Sequence, residues 1–248
     1  MPRKELAVAP RFLPSGDTSL VVEFGDRMDR HLSALVLNLC RRVEAAGIAG
    51  VSEAVPTFRS LMVHYDPLVV RARELQALLV PLIDDLQAEA LVGQRWYFPT
   101  CYEGDDFAPD LADVAAAAGL DPAEVVATHV AIEHLVYMIG FLPGQAYMGD
   151  LPKTLALPRR TSPRIKVSAG SVAIAIGQTT IYPFDSPGGW HIIGRSAVPL
   201  FDTRREKAAL LSPGDTVQFV SVSREVFEDM QAARADGTFD IDTLKVFE

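Results

Sequence analysis

Most residues that could do chemistry in this chain of 248 residues lie in its second half. The string LPRRTSPRIK, residues 157–166, places Arg159, Arg160 and Arg164 together, although the formal net charge of the protein is −9. Clustered guanidinium groups offer paired donors that suit the oxygens of a carboxylate or a phosphate. The string therefore predicts an anion-binding surface, against the plainer alternative of a solvated charged face.

Two other strings add aromatic and polar groups. In GFLPGQAYMGDLP, residues 140–152, glycine and proline punctuate the aromatic residues, and glycine lets a backbone approach a ligand closely. We expect a binding loop that presents Gln145 and Tyr147, with an ordinary surface loop as the alternative. In GQTTIYP, residues 177–183, three side chains could orient an amide, although strand alternation would put only some of them on one side: Gln178, Thr179 and Tyr182.

The string SPGGWHIIGR, residues 186–195, combines a flexible pair of glycines with aromatic and basic residues. The Gly-Gly pair is typical of a hairpin turn before a strand, in which Trp190 and His191 would face opposite ways. We expect His191 to face a ligand and Trp190 to face the core. His191 and His129 are the candidates for proton transfer, with structural hydrogen bonding as the alternative. The binding candidates from this string are Ser186, Gly188, Gly189, Trp190 and Arg195.

Several familiar catalytic and cofactor-binding motifs are absent from the sequence. It contains no Gly-rich phosphate loop, no dinucleotide fingerprint and no Gly-x-Ser-x-Gly nucleophile elbow. Its five histidines never pair with cysteine or carboxylates at the spacing of a structural zinc site. We therefore expect no metal site and no nucleotide motif in this chain.

Composition limits the classes of partner and compartment. The net charge of −9 argues against nucleic acid and an anionic membrane surface, because both need a basic footprint. No run of about 18 apolar residues occurs, and the first residues have no signal-peptide core. Of the two cysteines, Cys40 lies on an apolar helix face and is expected to be a buried free thiol. These features predict a soluble cytoplasmic protein.

The first 98 residues alternate between strand and helix patterns. One helix is predicted to begin near Asp29 and to end at Gly47, and a second helical pattern spans residues 71–90, which Pro81 should kink or split. The order strand, helix, strand, strand, helix, strand predicts a ferredoxin-like α+β domain over residues 1–98. The strands are predicted at 19–24, 51–55, 61–65 and 95–98.

The pattern changes after residue 98. Two short helices come first, and the second begins at DPAE, where Asp121 and Glu124 form a capping box around Pro122. Short apolar runs then alternate with turns rich in glycine and proline, which predicts several short strands in a barrel or a sandwich. We assign residues 99–248 to this second domain, and a helix begins its polar tail.

Taken together, the strings of the second domain resemble those of a known family. The strings GFLPG, AYMG, LPRR, SPR, AGSVAIA, IYP, SPGGWHIIGR, LFD, LSPGD and VQFV occur in the order found in the family of bacterial 5-oxoprolinase B subunits. This family is also called the KipI or allophanate hydrolase subunit 1 family, and it belongs to the carboxyltransferase C/D domain group. The resemblance extends by layout over the first domain and by residues from Cys101 to Val222. It implies a ferredoxin-like first domain and a cyclophilin-like β-barrel second domain.

The resemblance also implies an activity that needs partners. Members of the family work with a homologous protein, the C component of the enzyme, and with a further A component. The resemblance implies that the complex opens the ring amide of 5-oxo-L-proline at the expense of ATP and releases L-glutamate. On this interpretation the arginines would hold anionic groups, Gln178 and Tyr182 would orient the amide, and His129 or His191 would transfer a proton.

Two other functions are compatible with the resemblance. One is the carboxyltransferase part of a urea or amide carboxylase in an allophanate pathway, with biotin carried by a partner. The other is a non-catalytic, KipI-like inhibitor of a histidine kinase.

Three places depart from the family's usual strings. Gln145 and Ala146 stand where Phe-Pro is common, Asp150 stands where glycine is usual, and Thr180 replaces the glycine that usually follows Gln-Thr. These departures add an amide and a carboxylate to the predicted binding loop. Both groups would affect which substrate the loop binds.

Overall fold

A computed structural model describes residues 9–89 and 93–246. The chain separates into two compact units that divide between residues 92 and 93. Each unit has an apolar core of its own. The predicted class, an α+β first domain followed by a β-barrel, is confirmed, and of the two architectures left open the second domain is a barrel.

The first unit is a four-stranded antiparallel sheet packed against two helices. The strands are β1 (Arg11–Pro14), β2 (Ser19–Glu23), β3 (Val51–Pro56) and β4 (Ser60–Tyr65), and the helices are α1 (Arg30–Ala46) and α2 (Ala72–Ile83). The strand order is β1-β2-β4-β3, so the chain crosses over once between β2 and β3, through α1.

Helix α1 forms where its sequence signals place it. The carboxylate of Asp29 accepts hydrogen bonds from the backbone N–H groups of the first turn, and Gly47 ends the helix in the left-handed region at φ 54°. The apolar face of α1 is buried against the sheet, and Cys40 lies on this face as a free thiol. Burial, with a smaller contribution from the nearby Glu44 carboxylate, raises the pKa of Cys40 to about 12. The thiol therefore stays protonated and unreactive.

Two features of the first domain differ from the sequence prediction. Helix α2 ends at Ile83, two residues after Pro81, instead of continuing to residue 90. The strand predicted at 95–98 exists, but it pairs inside the barrel rather than in the first sheet, whose fourth strand is β1. Strand β1 is mostly exposed, so its sequence has no apolar alternation that could reveal it. The predicted boundary after residue 98 thus lies inside a barrel strand.

The second unit is a closed barrel of seven strands with a separate pair of strands beside it. The strands are β5 (Arg95–Cys101), β6 (Glu133–Ile139), β7 (Ala146–Gly149), β8 (Arg164–Val167), β9 (Ser171–Ala175), β10 (Gln178–Ile181), β11 (Ser186–Gly188), β12 (His191–Ser196) and β13 (Thr216–Ser221). The barrel order is β10-β7-β6-β13-β5-β12-β9. Neighbouring strands of the barrel pair antiparallel except β13 and β5, which run parallel. Strands β8 and β11 form the separate antiparallel pair.

Strand alternation separates two faces of the barrel. Met148 and Ile174 belong to the large interior core, whereas their neighbours Tyr147 and Ala173 belong to a smaller cluster on the outer face. The outer cluster also contains Trp190. The barrel therefore buries apolar side chains on both sides of β7 and β9.

Two helices lie between β5 and β6 in the chain, and a third follows β13. They are α3 (Leu111–Ala118), α4 (Pro122–Val130) and α5 (Arg224–Asp236). In α4, Asp121 and Glu124 form the predicted reciprocal capping box, and Pro122 occupies the first helical position. The polar tail begins as a helix, as predicted. Within the described ranges, no helix is long and apolar enough to cross a membrane.

We expect the barrel core to depend on Phe219, which is 1% exposed and meets Phe98 edge to face at a ring-centroid distance of 6.3 Å. Phe219→Ala should lower the free energy of unfolding by about 3–5 kcal/mol, because it leaves a cavity in a closed core. Val220→Ala, on the neighbouring exposed residue, should change it by less than about 1 kcal/mol. Urea unfolding followed by tryptophan fluorescence reports this unit alone, because both tryptophans, Trp96 and Trp190, lie in it. Equal losses in the two variants would contradict this assignment of the core.

Candidate functional site

A cleft of about 320 Å³ lies on the outer face of the barrel. Its lining comes from β7 and the turn before it, from the residue after β10, from the arginine-rich segment 158–164 and from the end of β11. Eight of its eleven described lining residues are among the predicted site residues. The described lining residues are Phe141, Gln145, Tyr147, Arg159, Arg160, Pro163, Tyr182, Pro187, Gly188, Gly189 and Trp190.

The arginine-rich segment is held in place by the buried carboxylate of Asp110. Arg164 donates to both carboxylate oxygens at 2.8 and 2.7 Å, and Arg160 donates to one of them at 2.7 Å. The backbone N–H of Ile192 donates to the same carboxylate at 2.7 Å, and the N–H of Asp110 donates to the Ile192 carbonyl at 3.0 Å. Asp110 therefore ties this segment to β12.

Asp110 also neutralises part of the predicted positive surface. Burial alone would raise its pKa, but the hydrogen bonds from Arg164 and Ile192, with the charges of Arg164 and Arg160, hold the pKa of Asp110 below its usual value. The carboxylate is thus ionised at neutral pH and offsets one of the two guanidinium charges. The segment offers less charge to a ligand than its sequence suggests.

Arg159 is the cation of the cleft that remains available to a ligand. Its side chain is exposed and has no acidic partner among residues 9–89 and 93–246. Its guanidinium carbon lies 5.9 Å from the centroid of the Trp190 ring, which is a cation–π distance. None of the described residues that line the cleft is acidic. Arg159 is therefore placed to meet an anionic group of a bound molecule.

Two tyrosines and a tryptophan form the aromatic walls of the cleft. Tyr147 and Trp190 meet edge to face at a centroid distance of 5.8 Å. Burial, followed by the nearby Tyr147 phenol, raises the pKa of Tyr182 to about 12, and burial also raises the pKa of Tyr147. Both phenols therefore keep their protons at neutral pH and can donate hydrogen bonds. A Cβ at Gly188 would come within 2.4 Å of the Tyr182 hydroxyl, so this close approach requires glycine.

Gln145 lies buried beside these aromatic residues, in the turn that precedes β7. Its backbone N–H donates to the Leu142 carbonyl, and its own carbonyl accepts from the Gly140 N–H, both at 3.0 Å. The side-chain Nε2 donates to Thr180 Oγ1 at 3.2 Å, and the side-chain Oε1 has no partner in the described part of the chain. The lining of the cleft thus includes a residue whose buried side-chain acceptor has no partner in the described part of the chain.

His129 and Thr179 lie away from the cleft. His129 is fully buried, with Nδ1 at 2.8 Å from the Tyr102 hydroxyl and Nε2 at 3.2 Å from Thr179 Oγ1. Burial, and then the neighbouring His134, hold the pKa of His129 well below its usual value, so the ring is neutral at physiological pH. In this structure His129 is a buried, hydrogen-bonded residue, and it is not among the described residues that line the cleft.

The structure reverses the expected orientation of Trp190 and His191. Trp190 lines the cleft, whereas His191 does not and has its Nε2 at 2.9 Å from the Pro158 carbonyl. Trp190 is buried all the same, because it packs against Tyr147 in the outer cluster. The prediction that a buried tryptophan faces the interior assumes that the barrel has a single apolar core. In this structure the outer face has a second apolar cluster, and Trp190 belongs to it.

The remaining predicted site residues also lie outside the cleft lining. Arg164 is bound to Asp110, and Arg195 donates to the Ala169 carbonyl at 3.3 Å with its guanidinium 5.6 Å from the Phe107 ring centroid. Two polar candidates are buried in strands without lining the cleft: Gln178 and Ser186.

Four residues of this region escaped the sequence analysis, and one of them is Pro187 in the cleft lining. Asp110 precedes Arg160 by 50 residues, and its only local signal is its place just before α3. Phe141 and Pro163 line the cleft, and neither carries a polar group that chemistry-based reasoning would select. Across the described ranges, no group of three or more His, Cys, Asp or Glu side chains could hold a metal ion.

We expect Asp110→Asn to lower the free energy of unfolding by about 2–4 kcal/mol at pH 7, because it leaves two guanidinium groups facing a neutral amide. Asp113→Asn, at an exposed position of α3, is the matched control and should have little effect.

The loss should also depend on pH. Folding lowers the pKa of Asp110, so its contribution is complete above the unfolded value of about 4 and is lost as the pH falls through the folded value. Urea unfolding between pH 7 and pH 3 should therefore show the stabilities of Asp110→Asn and the unmodified protein converging at low pH. Equal stabilities of the two at pH 7 would contradict the role of Asp110.

Comparison with known proteins agrees with this architecture. The family model described as carboxyltransferase domain, subdomain C and D, matches residues 10–211. The chain is 34% identical over 224 residues to the 5-oxoprolinase B subunit of Bacillus subtilis, a match that covers 85% of this chain and 92% of that protein.

Two solved structures resemble the chain. The crystal structure of TTHA0988 is 34% identical, with a TM-score of 0.72, over 83% of this chain and 40% of that one. The Kluyveromyces lactis urea amidolyase is 21% identical, with a TM-score of 0.80, over 98% of this chain and 16% of that one. This chain thus spans less than half the length of either protein. It belongs to the carboxyltransferase subdomain C and D family, in which the 5-oxoprolinase B subunits are its relatives.

Proposed function

We propose that this chain is the B component of a complex that uses ATP to open the ring amide of 5-oxo-L-proline and releases L-glutamate. The identity of 34% with a 5-oxoprolinase B subunit, over 92% of that relative, supports the proposal. On this proposal the C and A components of the enzyme are its partners, and ATP is a substrate of the whole complex.

The observation that carries the proposal is the composition of the cleft. 5-Oxoproline is a small planar lactam with one carboxylate, and a cleft of about 320 Å³ is at the lower end of the range for ligand sites. Arg159 would bind the carboxylate, and the ring would pack against Trp190. An amide carbonyl gains negative charge when it is attacked, and the protonated phenols of Tyr147 and Tyr182 are suited to donate to it.

A second candidate is the carboxyltransferase part of a urea or amide carboxylase. The fold is shared with the urea amidolyase of Kluyveromyces lactis over 98% of this chain, which makes this the principal alternative. That reaction would need bicarbonate and a biotin carried by a partner. Ring opening of 5-oxoproline would need neither, so the two functions can be separated by their co-substrates.

The test is to purify the chain together with its partner proteins and to measure glutamate formed from 5-oxoproline and ATP. Arg159→Met should lower kcat/KM by about 10–100-fold, mainly through a higher KM, because a charged hydrogen bond to the substrate is lost. Arg159→Lys should be intermediate, since it keeps the charge and loses the paired donors.

Arg73→Met, on the exposed surface of α2, is the control and should leave kcat/KM unchanged. Turnover of urea that requires bicarbonate and a biotinylated protein, without turnover of 5-oxoproline, would overturn the proposal in favour of the second candidate. Full activity of Arg159→Met on 5-oxoproline would overturn the assignment of the cleft.

A further inference from the structure

We propose that Gln145 selects ligands that carry an N–H group, through a side-chain carbonyl whose direction is set by Thr180. The ligand class is a small cyclic amide or a urea-like molecule with its N–H turned toward Gln145. This inference rests on the proposed function of the cleft and names the group of the substrate that the cleft recognises.

The orientation of the Gln145 amide follows from the hydrogen bonds of Thr180. The Thr180 hydroxyl has one proton, and it donates that proton to the Ala146 carbonyl at 2.7 Å. Toward Gln145 it can therefore only accept, so the side-chain atom of Gln145 that faces it at 3.2 Å must be Nε2. A carbonyl oxygen cannot take that place, and Oε1 is left on the other side of the amide.

The free acceptor is buried and held in place. Gln145 is 2% exposed, it lines the cleft, and its Oε1 has no partner among the described residues. A buried acceptor without a partner destabilises a structure, and a ligand N–H would remove that penalty. The two backbone hydrogen bonds of Gln145 to Gly140 and Leu142 keep the residue from turning away.

The other groups of the cleft complement this acceptor. Arg159 and the phenols of Tyr147 and Tyr182 donate hydrogen bonds, so they suit a carboxylate and a carbonyl. Gln145 Oε1 supplies the acceptor for an N–H, and it cannot satisfy a ring oxygen, which has no proton to donate. The cleft should therefore distinguish a lactam from the lactone of the same shape.

The test compares 5-oxoproline with the lactone in which an oxygen replaces the ring N–H. Dissociation constants are measured by calorimetry on the complex of this chain with its partner proteins, without ATP. The unmodified complex should prefer the lactam at least about tenfold, because a site built around a hydrogen bond rejects a ligand that lacks it. Gln145→Met, which keeps the length of the side chain, should bring the ratio near one and leave the affinity for the lactone intact.

Two further variants sharpen the result. Thr180→Val removes the group that orients the amide and should give an intermediate preference. Gln87→Met, at an exposed position of the first unit, is the control and should keep the full preference. A preference that persists in Gln145→Met, or an equal loss of lactam and lactone binding, would overturn the role of Gln145 while 5-oxoproline turnover still supports the proposed function. A complex that binds neither ligand would overturn both.

Discussion

The cleft depends on one buried carboxylate. Asp110 binds Arg160, which lines the cleft, and Arg164 at the start of β8, and it joins both to the backbone of β12. Without this anion, Arg160 and Arg164 would repel each other. With it, one of their two charges is offset inside the structure, and Arg159 is left without an acidic partner in the described part of the chain. The ion pairs of Asp110 thus hold part of the cleft lining in place. They also leave Arg159 as the arginine whose donors can meet a ligand.

The barrel separates structural from ligand-facing polar groups by strand alternation. Thr179 points toward the buried His129, whereas its neighbour Thr180 points toward Gln145 near the cleft. The interior group is neutral because burial lowers the pKa of His129. On the outer face burial raises the pKa of the Tyr147 and Tyr182 phenols, so they remain protonated, and with the N–H groups of Arg159 this face offers donors. Adjacent residues on one strand therefore serve opposite sides of the fold.

Two of the departures from the family's usual strings meet in space. Gln145 and Thr180 are 35 residues apart and hydrogen-bonded. A phenylalanine at the first position could not accept from a ligand, and a glycine at the second could not orient an amide. The pair is consistent with a cleft adjusted for a ligand that donates a hydrogen bond.

The sequence by itself determined many of the elements and the family, but not strand β1. Local signals such as the Asp29 cap, the Gly47 stop and the capping box at Asp121 predicted helix ends, because they act within a few residues. The order of strings predicted the class of both domains and eight lining residues of the cleft. Only the tertiary structure decided that β5 joins the barrel, that Trp190 rather than His191 faces the cleft, and that Asp110 binds two arginines. These outcomes depend on strand pairing and on charges many residues apart, which periodicity along the chain does not encode.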